Sequence, residues 1–98
     1  MHTTHRVVKQ RPESELAVLR NLGPVSAGWL EAAGIGTATE LRALGAVAAF
    51  RRVAFSRSGD VSLNLLYALE GALRDVRWDH LPPQERRALR RAAEAPDA

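Results

Sequence analysis

Leu19-Arg20-Asn21-Leu22-Gly23-Pro24-Val25-Ser26-Ala27 recurs 22 positions later as Leu41-Arg42-Ala43-Leu44-Gly45-Ala46-Val47-Ala48-Ala49, with Leu, Arg, Leu, Gly, Val and Ala in register. In each copy a Leu-x-x-Leu stripe ends a helix, glycine takes the left-handed conformation that stops it, and Val-x-Ala opens the buried face of the next. The repeat therefore reads as a duplicated helix-hairpin-helix, two copies packed about a pseudo-twofold axis.

Working outward, the pattern predicts a first helix over about 13–21, carrying Leu16, Leu19 and Leu22 on one face. Pro24 fits the first turn of a second helix, where its missing N–H costs nothing. Val25, Trp29, Leu30 and Ala33 form that helix's apolar stripe, and Gly34-Ile35 is its glycine stop. Thr37-x-x-Glu40 is a capping box, so a third helix starts there and runs to Gly45. A fourth follows with Val47, Phe50, Val53 and Ala54 inward and ends in the polar loop Ser56 to Asp60.

The longest helix is expected over about 61–76, with Leu65, Leu66, Leu69, Ala72, Leu73 and Val76 in one broad stripe. Pro82-Pro83 opens a last helix ending near Ala95. On a wheel at about 100° per residue, Arg86, Arg87, Arg90 and Arg91 share one sector and Ala88, Leu89, Ala92 and Ala93 lie opposite. The expected fold is all-α: five to six short helices, a duplicated, SAM-like helix-hairpin-helix packed on a longer central helix.

Composition agrees with that class. The chain has 98 residues, room for one domain, and 46% are hydrophobic against 5% aromatic, so the core is mostly Leu, Ala and Val. The absence of cysteine excludes disulfides, thiolate zinc sites and thiol nucleophiles. Charged residues or Gly interrupt every apolar stretch before the roughly 20 residues a bilayer span needs, and the N-terminus has no signal-like apolar run, so the expected location is cytoplasmic without membrane contact. Net charge is +3 and the pI about 10.5. The excess sits in residues 1–12, which hold Arg6, Lys9 and Arg11 and no acid; the rest has 11 Arg against 11 acids. Residues 1–12 are expected to form a flexible basic arm and 13–98 a single helical domain.

The candidate site follows from the repeat. Amides at the start of a hairpin's second helix, with the positive end of its dipole, can hold a phosphate without reading sequence. Gly23, Val25 and Ser26 are the donors in the first copy, and Gly45, Ala46 and Val47 in the second. Arg20 and Arg42 stand beside the two turns, and Arg51 and Arg52 form a basic pair nearby. Nucleic-acid or partner binding thus falls to Arg20, Gly23, Ser26, Arg42, Gly45, Arg51 and Arg52. Yet DNA-gripping hairpins resemble Gly-x-Gly-Pro-Lys, and here Val25 and Val47 replace the charge, with Asn21 and Ala43 at the first glycine. Asn tolerates the left-handed conformation, so the first turn keeps its shape without its phosphate hold.

No residue is assigned to catalysis, metal or cofactor binding. His2 and His5 have no third ligand, His80 stands alone, and Ser26 after Gly-Pro is placed as a helix-start residue. Asn64, Tyr67 and Glu70 lie beside the long helix's stripe, where they are expected to satisfy buried backbone groups. An enzyme built on Ser26 or His80 would need a pocket joining the two.

The chain also resembles the C-terminal domain of the TfoX/Sxy family, bacterial regulators of competence for DNA transformation. The likeness lies in Leu22-Gly23-Pro24-x-Ser26-Ala27-x-Trp29-Leu30, Gly34-Ile35-x-Thr37 and Leu41-Arg42-x-Leu44-Gly45-Ala46-Val47. It continues in Val61-Ser62-Leu63-Asn64-Leu65-Leu66-Tyr67-Ala68-Leu69-Glu70-Gly71-Ala72-Leu73, and covers most of residues 15–83. The last segment is the more specific, since Gly71 inside a helix costs about 1 kcal/mol relative to Ala and so implies close packing. Family members commonly carry a separate N-terminal domain ahead of this one, and the sequence here starts a dozen residues before the likeness does. The resemblance implies a regulatory interaction domain without chemistry of its own, with a transcription-related protein or a second copy as partner. Direct, sequence-independent DNA binding through the turns and Arg clusters is the alternative. An arm exchanged through Val7-Val8 would favour the homodimer.

Overall fold

The computed structural model describes residues 15–95, which form four α-helices and one 3₁₀ turn. We label them α1 (Pro24–Ala32), α2 (Ala38–Ser56), α3 (Leu63–Arg74), the 3₁₀ turn (Trp78–His80) and α4 (Pro83–Glu94). The expected arm and its Val7-Val8 pair lie outside the described residues, as do Glu13 and Ser14 of the first expected helix. Glu15 to Asn21 is a run of turns, closed by Leu19 N–H donating to the Leu16 carbonyl at 3.2 Å and Leu22 N–H to that of Leu19 at 3.1 Å.

The helix boundaries follow local chemistry. At the start of α2, Thr37 accepts from the Glu40 amide at 3.0 Å, while Glu40 Oε1 accepts from the Thr37 and Gly36 amides at 3.2 and 2.7 Å. Glu15 reaches across from the turn segment to accept from the Ala38 amide at 3.0 Å, satisfying another donor of that helix end. α1 stops at Gly34 (φ 88°), where the Ile35 amide reaches back to the Leu30 carbonyl at 2.9 Å and both side chains are fully buried. α3 ends the same way with Asp75 in the left-handed position (φ 56°) and Val76 N–H on the Gly71 carbonyl at 2.9 Å.

The two copies of the repeat are realised differently. In the first, the left-handed residue is Asn21 (φ 72°), and Gly23 is extended (φ −140°, ψ −170°) as the N-cap of α1. In the second, helix continues on both sides of a break at Gly45 (φ 84°, ψ 166°), a region only glycine enters readily. Sequence symmetry thus exceeds backbone symmetry, because Ala43 stays helical where Asn21 turns over.

Leu16, Leu30, Ile35, Leu41, Val53, Leu66 and Leu69 make the fully buried centre of the core. Each such aliphatic side chain contributes about 1.5–3 kcal/mol on leaving water. α3 packs against α2, the 3₁₀ turn and α4, the central place expected for it. The 19 residues of α2 join two helices across the non-helical Gly45, so α3, with 12 residues, equals α4 as the longest unbroken helix among the described residues.

Two stripes also differ from expectation. Val25 is 65% exposed, because α1 turns Ala27 and Leu30 inward and leaves its first turn outside. α4 docks through Leu89 and Ala93 and leaves Ala88 and Ala92 exposed, with Arg86 half-buried. No helix among the described residues is long and apolar enough to cross a membrane.

Candidate functional site

The predicted site residues divide among separate places. Arg20 donates from Nε to Asp75 Oδ1 at 3.1 Å, so its guanidinium ties the first turn to the end of α3. Arg51 lies against the C-terminus of α4, donating to the carbonyls of Ala92 (2.9 Å), Ala93 (3.3 Å) and Ala95. Those carbonyls are the orphan acceptors of a helix end, and a cation there also meets the negative end of the dipole. Arg42 and Arg52 are exposed and make no ion pair among the described residues. Arg51 and Arg52 share a concavity of about 740 Å³ with Ala32, Ala33, Ser56 and Phe55, whose ring is 90% exposed.

The turns themselves are unequal as phosphate sites. No side chain caps α1, and no acid lies in its first turn, so the positive end of that helix is open at Gly23, Val25 and Ser26. In the second copy Ala46 is buried and Val47 half-buried, which withdraws the backbone after Gly45 from any flat polyanion. The structure therefore does not bring the two turns forward as a matched pair.

A second set of residues converges where the sequence did not point. A groove of about 270 Å³ between α1 and α3 is lined by Asn21, Ser26, Trp29, Ser62, Asn64, Leu65, Ala68 and Trp78. It holds both tryptophans of the chain. Each indole is braced. The Arg57 guanidinium carbon lies 4.0 Å from the Trp29 ring centre, a cation–π contact, and Arg57 is itself fixed by Asp60 at 2.9 Å. Trp78 stacks on Tyr67 with ring centres 6.4 Å apart and planes at 14°.

Asn21 locks the end of the groove. Its Nδ2 donates to the Val76 carbonyl at 2.8 Å and its Oδ1 accepts from the Trp78 amide at 3.0 Å. Both ends of the amide are thus used on the chain segment leaving α3, which makes this left-handed residue a clamp between elements 55 and 57 positions apart. Gly71 is what allows it: a Cβ there would lie 2.4 Å from Asn21 Nδ2 and 2.6 Å from the Val76 carbonyl oxygen.

Ser26, Ser62 and Asn64 behave differently, for their side chains make no hydrogen bond among the described residues, and the exposed Asn64 does not satisfy the buried backbone group expected of it. No titratable side chain lines the groove, and His80 is not among its walls, so Ser26 has no base beside it there. Beside Trp78, the Asp79 carboxyl lies below the ordinary carboxylate range. Desolvation is the largest single influence and raises it, but the hydrogen bond and charge of Arg77 (3.0 Å), together with a backbone hydrogen bond and the charge of His80, lower it by more.

Trp29 belongs to the apolar stripe expected of the second helix, and no local pattern joins it to Trp78, 49 positions away. The one available signal was the run around Asn64, whose polar residue helix formation does not require.

A family model described as the TfoX C-terminal domain matches residues 12–93. Two crystal structures of Listeria monocytogenes proteins are similar as well. One, an uncharacterized protein in a triclinic form, is 39% identical, with a TM-score of 0.72 over 76% of this chain and 84% of that one. The other, a protein of unknown function in a tetragonal form, is 38% identical, with a TM-score of 0.74 over 79% of this chain and 94% of that one. No curated protein matches this chain.

Proposed function

We propose that this chain, which belongs to the TfoX C-terminal domain family, is a cytoplasmic regulatory interaction domain in the control of competence for DNA transformation. It acts through contacts with a transcription-related protein or a second copy of itself and performs no chemistry. The carrying observation is at the first hairpin. Val25, 65% exposed, stands where a phosphate-gripping turn would hold its charge, and the neighbouring Arg20 is already paired with Asp75. An exposed apolar side chain at a hairpin tip suits a protein surface better than a phosphate backbone.

The second reading, sequence-independent DNA binding, draws on Arg42 and Arg52 and on Arg87, Arg90 and Arg91 of α4, all exposed without an ion pair among the described residues.

The test is genetic. Deleting the gene in its own host should change transformation frequency, with rescue by the wild-type gene and equally by an Arg42→Gln/Arg52→Gln variant. An unchanged frequency would remove the competence role. Rescue by wild type alone would favour DNA contact.

A further inference from the structure

We propose that the groove between α1 and α3 is a recognition site for an extended, proline-containing segment of a protein partner. This rests on the protein-contact reading above and names its chemistry.

Three features converge. First, the groove has two aromatic walls held from behind, Trp29 by Arg57 and Trp78 by Tyr67, so neither ring loses much freedom when a partner arrives. Aromatic walls of this kind are what polyproline-type segments dock on, their rings lying against indole faces. Second, Ser26, Ser62 and Asn64 supply hydroxyl and amide donors with no internal acceptor among the described residues. A polyproline II strand has no internal hydrogen bonds, and its carbonyls are all free to accept them. Third, the volume of about 270 Å³ falls below the roughly 300–1,000 Å³ of small-molecule pockets, which fits a short piece of a larger chain.

Charge separates a polypeptide from a nucleic acid. Single-stranded nucleic acid also stacks on aromatic side chains, but it needs a positive track for its phosphates. Here each neighbouring cation has its own acid: Arg57 with Asp60, Arg20 beside Asn21 with Asp75, and Arg77 beside Trp78 with Asp79. The rim is neutralised, which suits an uncharged backbone.

Trp29 and Trp78 are the only tryptophans, so intrinsic fluorescence of the full chain reports the groove directly. Titrating a capped hexaproline peptide should give a saturable change in emission with half-saturation below about 1 mM. Asn64→Ala, at an exposed position on α3, should weaken it about 3- to 10-fold, the worth of one hydrogen bond. Phe55→Ala, in the separate concavity, should leave it unchanged. A flat titration, or equal affinity in Asn64→Ala, would overturn the proposal, and so would saturable binding of oligo-dT in place of the peptide. Because the transformation assay does not depend on this titration, a failed groove leaves the regulatory reading standing.

Discussion

Gly71→Ala should destabilise this protein, against the ordinary rule for a glycine inside a helix. Exposed helix glycines gain about 1 kcal/mol when replaced by Ala. At position 71 the new methyl would meet Asn21 Nδ2 at 2.4 Å, the Val76 carbonyl oxygen at 2.6 Å and the Trp78 amide nitrogen at 3.3 Å. Two of those three atoms are backbone and cannot swing aside. Forcing a methyl into such packing costs about 1–3 kcal/mol, and displacing Asn21 forfeits its bonds to Val76 and Trp78 at about 1 kcal/mol each. Set against the propensity gain, the net loss is about 2–4 kcal/mol. A domain of this size has about 5–12 kcal/mol in all, and each kcal/mol moves its midpoint by about 4–8 °C. Thermal and urea unfolding, followed by helix circular dichroism and by tryptophan emission, should therefore show a midpoint lower by at least about 8 °C with an unchanged urea m-value. The companion Asn21→Gly keeps the left-handed backbone and removes only the clamp, so the two losses should be less than additive. A Gly71→Ala protein as stable as wild type, or more so, would refute the packing argument.

Three further outcomes are expected. Thr37→Ala opens the capping box of α2 and should cost about 1 kcal/mol in urea unfolding. Arg51→Ala strips the C-terminus of α4 of its cation and should cost about 1–2 kcal/mol, with faster amide exchange confined to Pro83–Glu94. Asp79, whose folded pKa is depressed by Arg77, contributes stability that is present above its unfolded value and lost as pH falls through the folded one. NMR titration of its carboxyl should show the midpoint rising toward the ordinary value in Arg77→Ala.

The sequence revealed those parts of the fold that are decided within a turn of chain. Thr37 and Glu40 cap each other three residues apart, Gly34 and Ile35 close a helix on Leu30, and Gly45 alone makes the break in α2. Asn21 as a left-handed stand-in for glycine was legible for the same reason. What stayed hidden depends on contacts across 40 or more positions: Arg51 on the α4 carbonyls, Arg20 on Asp75, and Asn21 on Val76 and Trp78. Gly71 is the instructive middle case, since its oddity in a helix announced close packing and only the structure named Asn21 as the neighbour. The groove was illegible as a unit because its two indoles come from an apolar stripe and a turn, each with a local explanation.

On the proposed reading, the hairpins serve architecture and protein contact and do not grip phosphate. A fluorescent DNA duplex titrated with the full chain at about 50 mM and again at about 200 mM salt tests this, because each neutralised phosphate contributes about −0.9 to the slope of log affinity against log salt. No saturable binding at the lower salt is the predicted result. Saturable binding that weakens with a slope of about −2 or steeper would contradict it.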